Sequence, residues 1–373
     1  LIQKEYYTYT KNFIEYFSPM NGHAQLYQRT WLNEDGSVAY EEIINEVDGR
    51  QETQVYRFPN HVFYSKQEFV AHFIRSLSLT DKDLLILDRE TDIGQAIFAN
   101  KGAAKLVVIV HADHFSENPA EKDYILWNNY YEYQFEYADE VDYIINSTDA
   151  QTNLLKEQFA QYTNIKPKEI LTIPVGSLDQ LRHPEGERKP FGLITASRLA
   201  SEKHIDWLIH SVVKAHEQLP EITFDIYGTG GERAMLEQLI HELNAEEYIR
   251  LMGHHHMADV YRNYSAYLSA STSEGFGLTL LEAVGSGLPI IGFDVRYGNP
   301  TFIRDGENGY LIPEARPDDL DAMTTEYAEK IVQLFTQHSQ EDLSRVSYEV
   351  AEPYLDEHIA QRWYDLVQSA QHQ

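Results

Sequence analysis

The sequence predicts an α/β protein of two doubly wound, Rossmann-like domains with an antiparallel β-meander add-on. Three observations carry that prediction. From about residue 66 onward, short apolar runs alternate with helical patterns. The motifs that bear chemistry fall just after those runs. Ahead of them, residues 4–58 are Tyr-rich and alternating, with turn signals between the alternating stretches.

The amino-terminal segment holds stretches such as Ala24-Gln25-Leu26-Tyr27-Gln28-Arg29 and Val38-Ala39-Tyr40. Asn21-Gly22, Asp35-Gly36 and Asp48-Gly49 mark turns between them. Residues 1–62 therefore read as a meander, serving either as a contact surface for acceptor or partner or as a structural flap. Residues 63–178 read as the first doubly wound domain. Leu84–Leu87 and Leu106–Val110 are its strands, expected to be buried on both faces. Residues 91–100, 122–138 and 149–161 are expected as helices, and Tyr143–Ile145 as a further strand. This half reads as a doubly wound domain without its first strands, and the chain begins at Leu1, so an amino-terminal piece is expected to be missing.

Pro184, Gly186 and Pro190 mark a break near residues 176–190, and a second α/β domain, 179–350, follows. Its expected strands are Gly192–Ala196, Ile222–Tyr227, Ile249–Met252, Ala266–Ala270 and Pro289–Phe293. Repeated βα units give a parallel sheet with right-handed crossovers, and ligands bind beyond the carboxyl ends of its strands. Residues 351–373 are expected to form a helix returning to the first domain.

Composition narrows the function. The 373 residues are 43% hydrophobic, enough for two folded cores. Lys plus Arg number 30 against 59 Asp plus Glu, a formal net charge of −29. That surface repels nucleic acid and anionic lipid, so no nucleic-acid partner is expected, although a single small anion can bind a local basic pocket. Cysteine is absent, which suits a reducing compartment and removes thiolate metal sites. No apolar run approaches the roughly 20 residues of a membrane span, and no signal peptide is evident.

After strand Gly192–Ala196 come Arg198 and Lys203, two cations at a strand-to-helix junction. They suit a diphosphate whose leaving oxygen gains charge, the plain alternative being solvated surface cations. Gly228 opens a Gly-Thr-Gly-Gly turn that a ligand can approach closely. His254, His255 and His256 follow the next strand; consecutive histidines rarely converge on one ion, so a loop meeting a nucleotide base is preferred to a metal site. Ser273-Glu274-Gly275-Phe276-Gly277-Leu278-Thr279 then leads into a helix carrying Glu282. Free N–H groups at that helix start can hold phosphate, and Glu274 and Glu282, about two helical turns apart, can accept from two sets of hydroxyls. The alternative makes Glu274 a cap and Glu282 a surface residue. His111 ends strand Leu106–Val110, from where it can bond a sugar hydroxyl or stabilise positive charge through its carbonyl. His114 is a second, more distant candidate for that role.

Together these residues resemble the family 4 retaining glycosyltransferases of the type B fold. The marks are Arg198 with Lys203, His111 after its strand, and Glu274-x7-Glu282 around Gly-Phe-Gly. Longer runs, among them "DRETDIGQAIF", "VHADHFSENP" and "STSEGFGLTLLEAVGSGLPIIGFDVRYGNPTFI", are similar to one group within that family. It comprises the catalytic subunits of streptococcal O-GlcNAc transferase pairs that modify serine-rich repeat adhesins. The resemblance implies N-acetylglucosamine transfer from UDP-GlcNAc to Ser and Thr hydroxyls, with retention. It implies catalytic roles for Glu274, His111, Lys203 and Arg198. It implies donor-sugar contacts at His111, Glu274, Gly275, Phe276 and Gly277. UDP contacts fall at Arg198, Lys203, Gly228, His254, His255, Leu278, Thr279 and Glu282. No cofactor or metal is implied. The implied partners are a related non-catalytic subunit and an unfolded serine-rich polypeptide. The implied location is cytoplasmic, compatible with peripheral contact at the inner membrane face. A Gly-rich phosphate loop usual near the family's amino terminus is not found here. A wall teichoic acid type polyol-phosphate glycosyltransferase is the rival enzyme, disfavoured by the negative charge. A non-catalytic acceptor-binding or chaperone subunit is the rival of another class, disfavoured by the retained Glu274, Lys203 and Arg198.

Overall fold

Alternation along the first sixty-odd residues builds a meander before any helix appears. The computed structural model describes residues 2–20, 22–47, 50–89, 91–116, 124–313 and 317–372. Six strands, β1 (Gln3–Tyr7), β2 (Lys11–Met20), β3 (His23–Leu32), β4 (Val38–Val47), β5 (Arg50–Arg57) and β6 (Val62–Phe63), pair in that order as one antiparallel sheet. Asp35-Gly36 makes the β3–β4 turn, with Gly36 at φ +83°. Asn21 of the first expected turn, and all of Asp48-Gly49, lie outside the described residues. Cross-strand neighbours supply the cohesion. Phe13 stands opposite Trp31, and Trp31 opposite Tyr40, with ring centroids 4.6 and 5.8 Å apart. Two residues along the same face, Arg29 bridges Glu15 at 2.7 Å and Glu42 at 2.9 Å.

Helix α1 (Lys66–Ser76) starts where Ser65 accepts from the Glu68 N–H at 3.1 Å, and Glu68 accepts from the Tyr64 N–H. Then follow β7 (Leu84–Leu87), α2 (Gly94–Phe98) and β8 (Lys105–Val110), with β7 and β8 parallel. β8 is buried as expected, whereas β7 leaves Ile86 46% exposed. The expectation of two buried faces therefore fails for β7.

The span expected as one helix over 122–138 is something else. Its first two residues lie outside the described set. Next, β9 (Phe115–Ser116) pairs antiparallel with β10 (Leu126–Trp127), and only Glu132–Glu136 forms an α-helix, α3. Asn128 is the reason: its N–H donates to the His114 carbonyl and its amide to the Asp113 carbonyl, locking an extended entry.

β11 (Tyr143–Asn146), α4 (Asp149–Tyr162) and β12 (Ile170–Thr172) form a parallel βαβ unit. After the break come β13 (Gly192–Ala196), α5 (Ile205–Gln218), β14 (Thr223–Tyr227), α6 (Arg233–Glu242), β15 (Ile249–Gly253) and β16 (Ala266–Ser269). α7 (Leu278–Gly285), β17 (Ile290–Phe293), α8 (Gly298–Phe302), β18 (Gly309–Ile312) and α9 (Leu320–Gln337) complete the series. The sheet order is β15-β14-β13-β16-β17-β18, all parallel, with the direction of winding reversing between β13 and β16. That reversal opens a crevice at the strands' carboxyl ends. The expected terminal helix is α11 (Asp356–His372), which starts later than expected because α10 (Gln340–Ala351) first runs into a tight turn at Glu352–Tyr354. Pro353 in that turn explains the interruption.

The chain divides into two compact units. One is Leu1–Val108 with Asn129–Asp142; the other is Ile109–Asn128 with Tyr143–Gln373. The boundary falls within β8, so His111 belongs to the same unit as the large parallel sheet. Among its described residues the unit holds an apolar cluster around Leu268, Ile291 and Phe293.

Candidate active site

The switch point between β13 and β16 is where the motif residues gather. Directly after β13, Ser197 N–H donates to the Tyr227 carbonyl, and Gly228 N–H to the Gly253 carbonyl, so three strand ends are tied together. Gly228 sits at φ +134°, and a Cβ there would lie 1.8 Å from the Ser197 carbonyl oxygen, which excludes every other residue. These ends, with the 177–182 segment and α7, enclose a cavity of ≈ 560 Å³. Arg198, Gly228, His254, His255, Thr279 and Glu282 all line it.

A smaller hollow adjoins it, lined by Lys203, Ser271 and Glu274; Ser197 and Thr279 border both. There Lys203 Nζ donates to Glu274 Oε2 at 2.8 Å and to Ser271 Oγ at 3.2 Å. The side chains of that pair are only 20% and 22% exposed. Arg198 differs. Its side chain is 77% exposed and pairs with Glu202 at 2.8 Å. The two cations thus occupy adjoining hollows and are unequal.

The Glu274 loop is held on both sides. Its carbonyl accepts from the Tyr297 and Gly298 N–H groups, and its own N–H donates to the Arg296 carbonyl. Gly275 packs on the end of β8, where a Cβ would lie 2.7 Å from the His111 carbonyl oxygen. Ser273 Oγ donates to Asp113 Oδ2 at 2.5 Å in the same region. Gly277, at φ +90°, turns the chain into α7, whose first N–H groups no side chain caps. Leu278 and Thr279 open that helix, and the Tyr267 hydroxyl reaches Thr279 Oγ1 at 3.0 Å. Phe276 presents only backbone: its ring is buried against Phe302 and Tyr354.

Glu282 is half-buried on the cavity side, where Tyr261 donates its hydroxyl to Oε2 at 3.0 Å. Burial pushes this carboxyl above its usual range, against the opposing pull of Tyr261, Arg182 and His256. His255 Nε2–H donates to the Met252 carbonyl at 3.1 Å. Among the described residues, no group of three or more His, Cys, Asp and Glu is placed to hold a metal ion. His114 is a core residue, fully buried; its Nε2–H donates to Gln158 at 2.6 Å and its Nδ1 faces Gln151 and Tyr297. Burial pulls its pKa down to about 4, so it is neutral and cannot reach a ligand.

Sequence reasoning missed several wall residues. Asp179 and Arg182 stand at the break near residues 176–190, where no candidate site residue was named. Tyr227, Met257 and Tyr261 also line the cavity. A sheet-face argument could have found Tyr227, the last residue of β14. Arg182 and Tyr261 carry no local signal.

The arrangement can hold a nucleoside diphosphate with its base among aromatic and His residues, its ribose at Glu282, and its phosphates at the α7 start. Residues 179–334 match the family described as Glycosyl transferases group 1, and residues 1–60 the GtfA extended beta-sheet domain. A UDP-N-acetylglucosamine–peptide N-acetylglucosaminyltransferase GtfA subunit of Streptococcus pneumoniae is 54% identical over 372 residues, spanning 100% of this chain and 73% of that one. The pneumococcal O-GlcNAc transferase GtfA, solved with UDP and GlcNAc, superposes with a TM-score of 0.92 at 53% identity, over 100% of this chain and 72% of that one. A GtfA/B complex gives 0.87 at 53% identity, over 100% and 73%.

Proposed function

The chain belongs to the family of UDP-N-acetylglucosamine–peptide N-acetylglucosaminyltransferase GtfA subunits, and we propose that it transfers N-acetylglucosamine from UDP-GlcNAc to Ser and Thr hydroxyls of a serine-rich polypeptide. The observation that carries this reading is the pairing of Lys203 with Glu274 beside the capless start of α7, next to a cavity holding Glu282. UDP occupies the larger cavity. Its ribose hydroxyls donate to Glu282, and its diphosphate meets Arg198, Lys203 and the N–H groups of Leu278 and Thr279. The sugar lies toward Glu274, Gly275 and His111, where the carboxylate accepts from its hydroxyls.

Transfer proceeds on the face that the nucleotide leaves. The acceptor oxygen bonds to the anomeric carbon as the bond from that carbon to the β-phosphate oxygen breaks. The acceptor's proton passes to that leaving oxygen, and configuration is retained. Lys203 and the α7 N–H groups act where charge builds, so they favour the transition state over the bound donor. No metal takes part in this scheme. The meander β1–β6, with exposed Tyr7, Tyr9 and Tyr27, serves a related second subunit and the acceptor. The reaction belongs to the cytoplasm, with contact at the inner membrane face; among the described residues no helix is long and apolar enough to cross a membrane.

The test is UDP release by the purified chain, alone and with its co-purified second subunit, with a Ser-rich peptide present. Peptide-dependent release that Glu274→Gln cuts at least about tenfold is expected. A folded preparation that releases no UDP in either form would refute the reading. Release stimulated by a polyol phosphate and not by peptide would favour the wall-polymer alternative.

A further inference from the structure

Behind the larger cavity runs a buried polar chain that the transfer scheme does not use. Asp225 and Tyr227 lie two apart on β14 and so share a face of the strand. Asp225 is only 3% exposed, on a strand flanked by β13 and β15 in the parallel sheet. A carboxylate there costs stability unless it is paired and hydrogen-bonded. It is: Lys189 Nζ donates to Asp225 Oδ2 at 2.7 Å, and the Tyr264 hydroxyl donates to the same oxygen at 2.7 Å. Lys189 Nζ also stands 5.2 Å from the Tyr264 ring centroid. Tyr264 has one hydroxyl proton and has spent it on Asp225. The Tyr227 hydroxyl, 2.9 Å away, must therefore be the donor to Tyr264.

The direction of that last bond matters for the cavity. Tyr227 lines it, yet its hydroxyl is turned back into the protein. What is left to face the cavity is the ring, with the His255 ring perpendicular to it, centroids 5.3 Å apart, and held by its own bond to Met252. A neighbouring turn adds the second wall: Tyr261, three residues before Tyr264, donates to Glu282. One short segment, Tyr261–Tyr264, thus sets both the Glu282 side and the aromatic side of the cavity.

We propose that Tyr227 is the nucleobase platform of the cavity, and that Lys189, Asp225 and Tyr264 are positioning residues that pin its ring. This rests on the reading of the cavity as a UDP site. A pinned ring loses little rotamer freedom when a base stacks on it, so the chain raises affinity at the nucleoside end and leaves the phosphate end alone.

Calorimetry with UDP and inhibition by inorganic pyrophosphate separate the two ends. Tyr264→Phe removes the link between Asp225 and Tyr227 while keeping the ring volume. It should weaken UDP and raise KM for UDP-GlcNAc about fivefold to tenfold, roughly what one buried hydrogen bond commands, with kcat within about twofold. Inhibition by pyrophosphate, which has no base, should not change. Tyr227→Phe keeps the platform and drops its tether, so it should match Tyr264→Phe, and the double variant should cost no more than either one. The idea fails if UDP affinity holds while only the melting temperature falls. It fails equally if the two costs add in full, or if pyrophosphate weakens in step with UDP. Failure of the wild-type chain to bind UDP would sink the cavity reading itself, a separate result.

Discussion

Removing the Lys203 ammonium is the sharpest perturbation available, because the structure separates its roles. Lys203→Ala deletes the donor 2.8 Å from Glu274 Oε2 and 3.2 Å from Ser271 Oγ. With both side chains of the pair about four-fifths buried, solvent screens them less than a surface pair. Stability should fall by about 1–2 kcal/mol, between the values of exposed and fully buried pairs. The larger effect is kinetic. If Lys203 faces the leaving phosphate oxygen, losing one charge-stabilising donor should lower kcat on the order of a hundredfold, about 2.7 kcal/mol. UDP affinity should fall only about threefold, since ground-state charge is spread over more groups. Arg198→Ala should cost less, about tenfold in kcat/KM, because that side chain is largely exposed and already paired with Glu202. Steady-state titration in UDP-GlcNAc at fixed acceptor, beside UDP calorimetry, measures both. An intact kcat with weakened UDP binding in Lys203→Ala would show a tether and end the catalytic argument. Equal costs at Arg198 and Lys203 would contradict the inequality drawn from their burial.

Three other perturbations test the same geometry. Glu282 titrates above its unfolded value, so its contribution is complete at low pH and is lost as pH rises through the raised folded value. Glu282→Gln should therefore raise the melting temperature at neutral pH, with the gain vanishing on acidification, while UDP binding weakens about fivefold; a gain that grows toward acid would refute the sign. His114 is held neutral with its pKa moved from 6.5 down to about 4, so the unfolded chain binds the extra proton and stability falls as pH drops through that window, by about 3 kcal/mol when complete. In His114→Gln, urea melts across the window should lose that slope; an unchanged slope would assign it to the carboxylates. Gly275→Ala puts a Cβ 2.7 Å from the His111 carbonyl oxygen, so the loop must shift, and kcat/KM should fall about a hundredfold with the melting temperature nearly kept. Unchanged turnover would remove the loop from the site.

How much of this was legible depended on whether a residue's role is local. Strand β13 was readable to the residue, because an apolar run buried on both faces and bounded by turn residues has few other homes. β12 and β18 were not singled out, although β7 and β17, which were, are no longer than β18. The misread helix over 122–138 shows the converse. Its aromatic spacing fits a helix, but two hydrogen bonds from Asn128 to the 113–114 backbone, remote in sequence, override the local preference. The site divides the same way. Residues standing just after strands could be singled out because strand ends converge at a switch point whatever the detailed strand order. Which of them meet could not be, since β13 and β16 become neighbours only through the reversal of winding. Nor could Arg198 be told from Lys203, because both follow the same strand and only burial ranks them. Arg182 lay in the break near residues 176–190, and nothing nearby marks it as a wall. Tyr264 is more hidden still: it reaches the cavity only through the Tyr227 hydroxyl, is not among the residues lining it, and stands in no motif. Sequence pattern therefore locates groups that act from strand ends, whereas groups that act by orienting others become visible only once the direction of each hydrogen bond is known.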